Sequence, residues 1–129
     1  MASAAVTVGR VAEAAAAQWL ESSGWRILGR NVRVGRNEVD LVAIDPGPPG
    51  RLVVVEVRWR RRPDHGRPEE TVDGRKVGRL RSALAGLIAT GALPDGTSLP
   101  SLRPAIDVIA VEPGRAGPRF GHLRDVDGG

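Results

Sequence analysis

Two neighbouring segments carry the strongest fold signal in the sequence: GRNEVDLVAID at residues 35–45 and RLVVVEVRW at residues 51–59. Residues 52–55 are continuously apolar, which is typical of a strand buried on both faces. The intervening residues 45–50 are rich in Pro and Gly and have the composition of a turn. The pattern therefore predicts two consecutive strands, the second of them central in a sheet.

Acidic residues interrupt both segments. Side chains alternate between the two faces of a strand, so Glu38 and Asp40 share one side of the first strand, and Glu56 and Arg58 share one side of the next. A carboxylate within apolar residues 53–57 is costly to desolvate unless it is paired or binds a cation. Two explanations of Glu56 stay open: an ion pair with an Arg at a strand end, or a hard-cation site for Mg²⁺ or Mn²⁺ completed by substrate phosphate.

The remaining elements follow from hydrophobic periodicity on either side of these segments. We predict a helix at 9–23, a β-hairpin at 25–34 and 38–44, the central strand at 51–59, a charged loop at 60–70, a second helix at 73–90, a strand at 105–111 and an edge strand at 120–126. The order α-β-β-β-α-β, with one further edge strand, indicates an α/β fold with a mixed sheet flanked by helices.

Length and composition predict the domain organisation. The chain has 129 residues, of which 41% are hydrophobic and 26% charged, as expected for one soluble domain over 1–129 with its core at 9–111 and an edge strand and tail at 112–129. An apolar run of the ~20 residues that a membrane-spanning helix needs is missing, as is a basic leader. We therefore expect a cytoplasmic protein with no membrane partner.

Charge and cysteine content limit the kinds of functional site and partner that the chain can have. The chain has no cysteine, which excludes disulfides, thiolate nucleophiles and sulfur-ligated metals, so any metal must be held by oxygen or His. The net charge of +4 and the pI of about 11.1 favour phosphate-bearing partners, and hence nucleic acid, through counterion release.

The motifs around Asp40 and Glu56 resemble the YraN-like bacterial proteins, which have a restriction-endonuclease-like fold similar to archaeal Holliday-junction resolvases. The resemblance extends to residues 9–20, including Glu13, to 25–31, to 76–80 and to 103–111, including Asp107. It thus covers the chain from about residue 9 to residue 111, and the ordered set is more specific than any single motif.

This resemblance implies the nuclease motif of an Asp on one strand and Glu-x-Lys on the next, written PD-(D/E)XK. Asp40 and Glu56 would hold Mg²⁺ or Mn²⁺ together with the backbone carbonyl of Val57, and Glu38 and Glu13 would be auxiliary acids. The implied reaction is metal-dependent hydrolysis of phosphodiesters, with DNA favoured over RNA. Because junction-cutting proteins of this fold work as dimers, a homodimer is one of the implied assemblies.

The chain departs from the motif at the lysine position, which is occupied by Arg58. Arginine stays charged, so it can position water or stabilise a transition state but cannot act as a base. Lys76 is the only lysine beside eighteen arginines. It is either a substitute cation that contacts nucleic acid or an ordinary exposed helix lysine.

The remaining candidates are a basic run and two histidines. Arg60, Arg61 and Arg62 follow the acidic strand and are suited to gripping phosphates, although charge runs are often solvated loops. His65 and His122 lack metal-ligand spacing, and we expect both at the surface.

Three functions are compatible with these features. The first is a nuclease-like protein that binds nucleic acid and hydrolyses phosphodiesters. The alternative is a catalytically inactive nucleic-acid-binding module on the same fold, favoured by Arg58 in place of lysine. The third is a structural or protein-interaction domain, since fold alone does not determine function.

Overall fold

A computed structural model of the chain describes residues 4–60 and 73–127, with side chains from residue 8 onward. It contains two helices and five strands in these parts of the chain: α1 (Ala4–Ser22), β1 (Arg26–Val34), β2 (Asn37–Asp45), β3 (Arg51–Trp59), α2 (Gly74–Thr90), β4 (Arg103–Glu112) and β5 (Arg119–Leu123). The predicted α/β class and element order, including the edge strand, are confirmed. Neither helix is long and apolar enough to cross a membrane, as judged over the described residues.

The five strands form one open sheet in the order β1-β2-β3-β4-β5. β3 runs parallel to β4, and the other neighbouring pairs are antiparallel. A parallel pair requires a crossover connection, and α2 supplies it between β3 and β4. β3 is the central strand, as predicted, and residues 52–55 are at most 2% exposed.

One helix packs on each face of the sheet, so there are two apolar cores. α1 contributes small residues to the first core, among them Ala12, Ala16 and Ala17. α2 contributes Leu80, Ala83, Leu84 and Leu87 to the second. The helical spacing of these residues is the periodicity that predicted both helices.

The ends of the elements follow local chemistry. The Asp73 side chain caps α2 by accepting a hydrogen bond from the backbone N–H of Lys76 at 2.9 Å, and Gly91 ends the helix in the left-handed conformation at φ 73°. α1 begins five residues before its predicted start. β4 begins two residues earlier than predicted, because parallel pairing with β3 continues back to Arg51 and Arg103.

A buried ionic network closes the end of the sheet where β3 begins. The Arg51 guanidinium donates to Asp45 at 2.9 Å and to both carboxylate oxygens of Asp107 at 2.9 and 3.1 Å. Asp107 also accepts from the backbone N–H of Asp125 at 3.0 Å and contacts Nε2 of His122 at 2.8 Å. The buried carboxylate of Asp107 is thus satisfied by an ion pair and structural hydrogen bonds.

The expectation of a surface His122 is wrong. Its side chain is only 11% exposed, and its ring packs against Trp19 and Trp25. The physical reason is that β5 folds back along β4 and brings His122 opposite Ile109, a pairing that segment composition does not indicate. His65 lies outside the described residues.

Candidate functional site

The site lies where the regular pairing of β2 with β3 ends. Leu41 and Val55 are the last paired residues, and Asp40 and Glu56 come next on the two strands. The Oδ2 atom of Asp40 accepts a hydrogen bond of 2.8 Å from the backbone N–H of Val57. A carboxylate therefore replaces the strand-to-strand hydrogen bonding at this point.

Glu56 is the most deeply buried acid at this end of the sheet, with 3% of the residue exposed. Its Oε1 atom lies 3.5 Å from Arg58 Nε and 3.5 Å from Lys76 Nζ. Its Oε2 atom is buried and has no hydrogen-bond partner within the described parts of the chain. Burial, followed by the negative charge of Asp40, raises the pKa of Glu56 to about 7, although Lys76 and Arg58 oppose the shift.

Glu13 approaches Asp40 from α1. Burial and the charge of Asp40 raise the pKa of Glu13, and a hydrogen bond with the Asn31 side chain opposes the rise. Its buried Oε1 atom finds no hydrogen-bond partner among the residues described. Asn31 itself was not identified from sequence. It lies within β1 with a positive φ of 50°, which Asn tolerates better than most residues, and its side chain contacts Glu13 of α1.

Asp40 is the common neighbour of these acids. Burial raises the pKa of Asp40, while the Val57 N–H and the charge of Lys76 act against that rise. Carboxyl groups with raised pKa values, gathered at one end of a sheet, weaken the folded state unless a cation or proton neutralises them. Such clusters are common at functional sites.

These residues fit a divalent cation of the Mg²⁺ type. Asp40 and Glu56 supply two carboxylates, and the buried Glu56 Oε2 accepts no hydrogen bond from the part of the chain that the structure describes. N–H and C=O of a strand residue point to the same neighbouring strand, so the Val57 carbonyl is directed to the side on which its N–H meets Asp40. The described residues contain no group of three or more His, Asp or Glu arranged to hold a metal. That is compatible with Mg²⁺, which commonly takes one or two carboxylates and completes its shell with water and phosphate.

The other predicted site residues are distributed around this cluster. Arg58 and Lys76 contact Glu56, so the only lysine of the chain does reach the acidic site from α2. The Glu38 carboxylate instead lies 3.9 Å from Arg33 and is about half exposed, and its role as an auxiliary acid remains a prediction.

The predicted phosphate-binding arginines are placed differently from one another. Arg60 is buried, and its Nη1 atom lies 3.6 Å from Glu112 Oε1, which leaves little of its side chain for a phosphate. Arg61 and Arg62 lie outside the described residues, so their role also stays a prediction.

Comparison with known proteins gives a consistent family assignment. Residues 12–111 match the model of the Uncharacterised protein family UPF0102. A UPF0102 protein of Paenarthrobacter aurescens is 40% identical over 120 residues, which cover 92% of each chain. A UPF0102 protein of Symbiobacterium thermophilum is 44% identical over 85% of this chain and 86% of its own length. A UPF0102 protein of Anaeromyxobacter dehalogenans is also 44% identical, over 90% of this chain and 80% of its own length. The chain therefore belongs to the UPF0102 family, the YraN-like family that its motifs resemble.

Proposed function

We propose that this protein is a nuclease-like nucleic-acid-binding protein that hydrolyses phosphodiesters with Mg²⁺ or Mn²⁺. The observation that carries the proposal is Glu56, which is 3% exposed on the central strand, has Asp40 beside it, and has one carboxylate oxygen without a hydrogen-bond partner among the described residues. A purely structural acid at this depth would have both oxygens satisfied. A cation held between the two carboxylates would instead satisfy the free oxygen and relieve their repulsion.

The chain's own residues would divide the work as follows. Asp40 and Glu56, with the Val57 carbonyl, would hold the cation, which when bound polarises the phosphoryl group and lowers the pKa of attacking water. Arg58 stays charged and would orient that water or stabilise charge on the phosphate. Lys76, 3.5 Å from Glu56, would keep this carboxylate in its ionised form. In the overall reaction the water oxygen bonds to phosphorus as the ester P–O bond breaks.

A direct test compares the wild-type protein with Asp40→Asn and Glu56→Gln. The matched control is Glu21→Gln, which changes an exposed carboxylate on α1 that lies 4.0 Å from Arg30. Each protein is incubated with linear duplex, single-stranded and four-way-junction DNA and with RNA, in Mn²⁺, Mg²⁺ or EDTA. Binding of Mn²⁺ alone is measured by calorimetry in parallel.

We expect cleavage and Mn²⁺ binding in the wild-type and control proteins and loss of both in the two site variants. Cleavage that persists in both variants would come from a contaminant and would refute the proposal. The absence of any nucleic-acid binding at low salt would refute it as well and would favour an interaction domain.

The second candidate is a catalytically inactive nucleic-acid-binding module. Arg58 favours it, because an arginine cannot take up a proton from water as a lysine can. This candidate predicts salt-sensitive binding without metal-dependent cleavage.

A further inference from the structure

A groove of about 220 Å³ lies next to the carboxylates, between the β1–β2 turn and the first half of α2. Its lining residues come from both elements: Arg36, Asn37, Glu38, Lys76, Arg79 and Leu80. Lys76 joins the groove to the acidic site, because its Nζ atom lies 3.5 Å from Glu56 Oε1. A ligand in the groove therefore lies directly beside the proposed metal ligands.

The lining of the groove carries more positive than negative charge. Arg36 and Arg79 are both exposed, one on each wall, and neither forms an ion pair or hydrogen bond with any described residue, although the charge of Arg79 contributes to lowering the pKa of the exposed Asp73. Other exposed arginines nearby are paired: Arg33 lies 3.9 Å from Glu38, and Arg81 binds Asp127. Glu38, the one acid of the lining, is thus itself partly neutralised.

The start of α2 shows the same excess. The first turn contains Arg75 and Lys76 and no acidic residue, and the N-cap Asp73 precedes it with its carboxylate bonded to the Lys76 backbone N–H. Cations near a helix N-terminus oppose the helix dipole. Residues that break a local rule of this kind are expected at functional positions.

We propose that this groove binds the sugar-phosphate backbone of the nucleic-acid strand beside the phosphate placed at Asp40 and Glu56. The proposal rests on the proposed function and adds to it the position of the strand. Arg36 and Arg79 each contact a phosphate of that strand, and Lys76 links the groove to the reaction site. Because none of the described residues that line the groove is aromatic, its contacts are to phosphates and carry no base specificity.

The test uses Arg36→Gln, Arg79→Gln and the double variant. Arg26→Gln is the matched control, since Arg26 is an exposed arginine at the opposite end of the β1–β2 hairpin, where it pairs with Ile44. Binding of fluorescein-labelled single-stranded and four-way-junction DNA is followed by anisotropy in EDTA over a series of salt concentrations. Cleavage of the same DNA in Mn²⁺ gives kcat and KM.

We expect each single variant to lower the affinity for DNA about fivefold to tenfold at low salt. The slope of log K against log salt should fall by about 1 in each single variant and by about 2 in the double variant. KM rises while kcat is largely retained. The control keeps the wild-type affinity and slope. Arg79→Glu, a charge reversal at an exposed site, weakens binding further.

The assignment of the groove would be overturned if both single variants kept the wild-type slope while the wild-type protein still bound DNA. If Asp40→Asn still abolished cleavage in that case, the proposed function would remain in place. Loss of the slope in the Arg26→Gln control to the same extent would also overturn it, because the effect would then be one of net charge. Equally tight binding of a labelled poly-glutamate peptide, lost in the same two variants, would overturn it in favour of an acidic protein partner.

Discussion

Replacement of Arg51 by Met is expected to destabilise the protein strongly. The Arg51 side chain fills a buried position between β2 and β4 and is the shared partner of Asp45 and Asp107, which are 7% and 0% exposed. Removal of one member of a buried ion pair costs about 3–5 kcal/mol, because the other charge stays buried without its partner.

The lower end of that range applies, since both carboxylates keep other partners. Asp107 retains His122 and the Asp125 N–H, and Asp45 retains the Gly47 N–H at 3.0 Å and Arg124 at 3.0 Å. We therefore expect a loss of about 3 kcal/mol in the free energy of unfolding. For a domain of this size that corresponds to a fall of roughly 10 °C in Tm.

Urea unfolding is the assay, followed by tryptophan fluorescence because the Arg51 guanidinium lies 5.8 Å from the centre of the Trp25 ring. A lower midpoint with an unchanged m value would show a true loss of stability. The control is Arg103→Met, which removes an exposed arginine 3.9 Å from Asp125 and should cost less than about 0.5 kcal/mol. A loss below about 1 kcal/mol for Arg51→Met would refute the reasoning, because the network would then contribute little to holding the strands together.

Further predictions concern acid stability, the buried glutamate, the motif position and the helix cap. Burial alone would raise the pKa of Asp107, but its hydrogen bonds with His122 and Arg51 lower that pKa below the ordinary 3.8. The ionised carboxylate therefore stabilises the fold above pH 3.8, and this contribution is lost as the pH falls through the lowered pKa. Asp107→Asn should accordingly flatten the acid limb of a pH–Tm curve. Glu56→Gln should stabilise the metal-free protein at pH 8 by on the order of 1–3 kcal/mol and have no effect near pH 4. The reason is that ionisation of Glu56, whose pKa is raised to about 7, opposes folding. A Tm equal to or below that of the wild type at pH 8 in EDTA would contradict this. Arg58→Lys, which restores the motif lysine, should raise the initial cleavage rate in Mn²⁺ at least ~10-fold, and a rate at or below wild type would argue against proton transfer at this position. Asp73→Ala should cost ~1 kcal/mol in urea unfolding, since the α2 N-cap is lost, with Glu21→Ala as the exposed control.

Much of the architecture could be predicted because its signals are local. Helical spacing of apolar residues, the unbroken run at 52–55 and glycines such as Gly91 each report the conformation of their own segment. Element ends were less accurate, as at β4, because strand length depends on how far a neighbouring strand continues the pairing.

The candidate site was predicted in part. Alternation along two strands suggested that Asp40 and Glu56 meet, and the solitary lysine drew attention to Lys76, which does contact Glu56. The same alternation puts Glu38 on the side of Asp40, and the Glu38 carboxylate lies 3.9 Å from Arg33, so its role as an auxiliary acid stays a prediction. Neither Asn31 nor the buried pairing of Arg60 with Glu112 has a sequence signal, because both depend on packing between elements distant in the chain.

The class and order of the elements, and the cost of carboxylates within an apolar strand, can be read from the residues alone, because hydrophobic periodicity and desolvation act at each residue. The groups that those carboxylates face are known only from the folded chain. The β2–β3 pairing stops beside Asp40, the Val57 N–H turns to its carboxylate, and α2 brings Lys76 across to Glu56. Contacts of this kind are set by strand register and by the crossover of a helix over the sheet, and these depend on the whole chain packing at once.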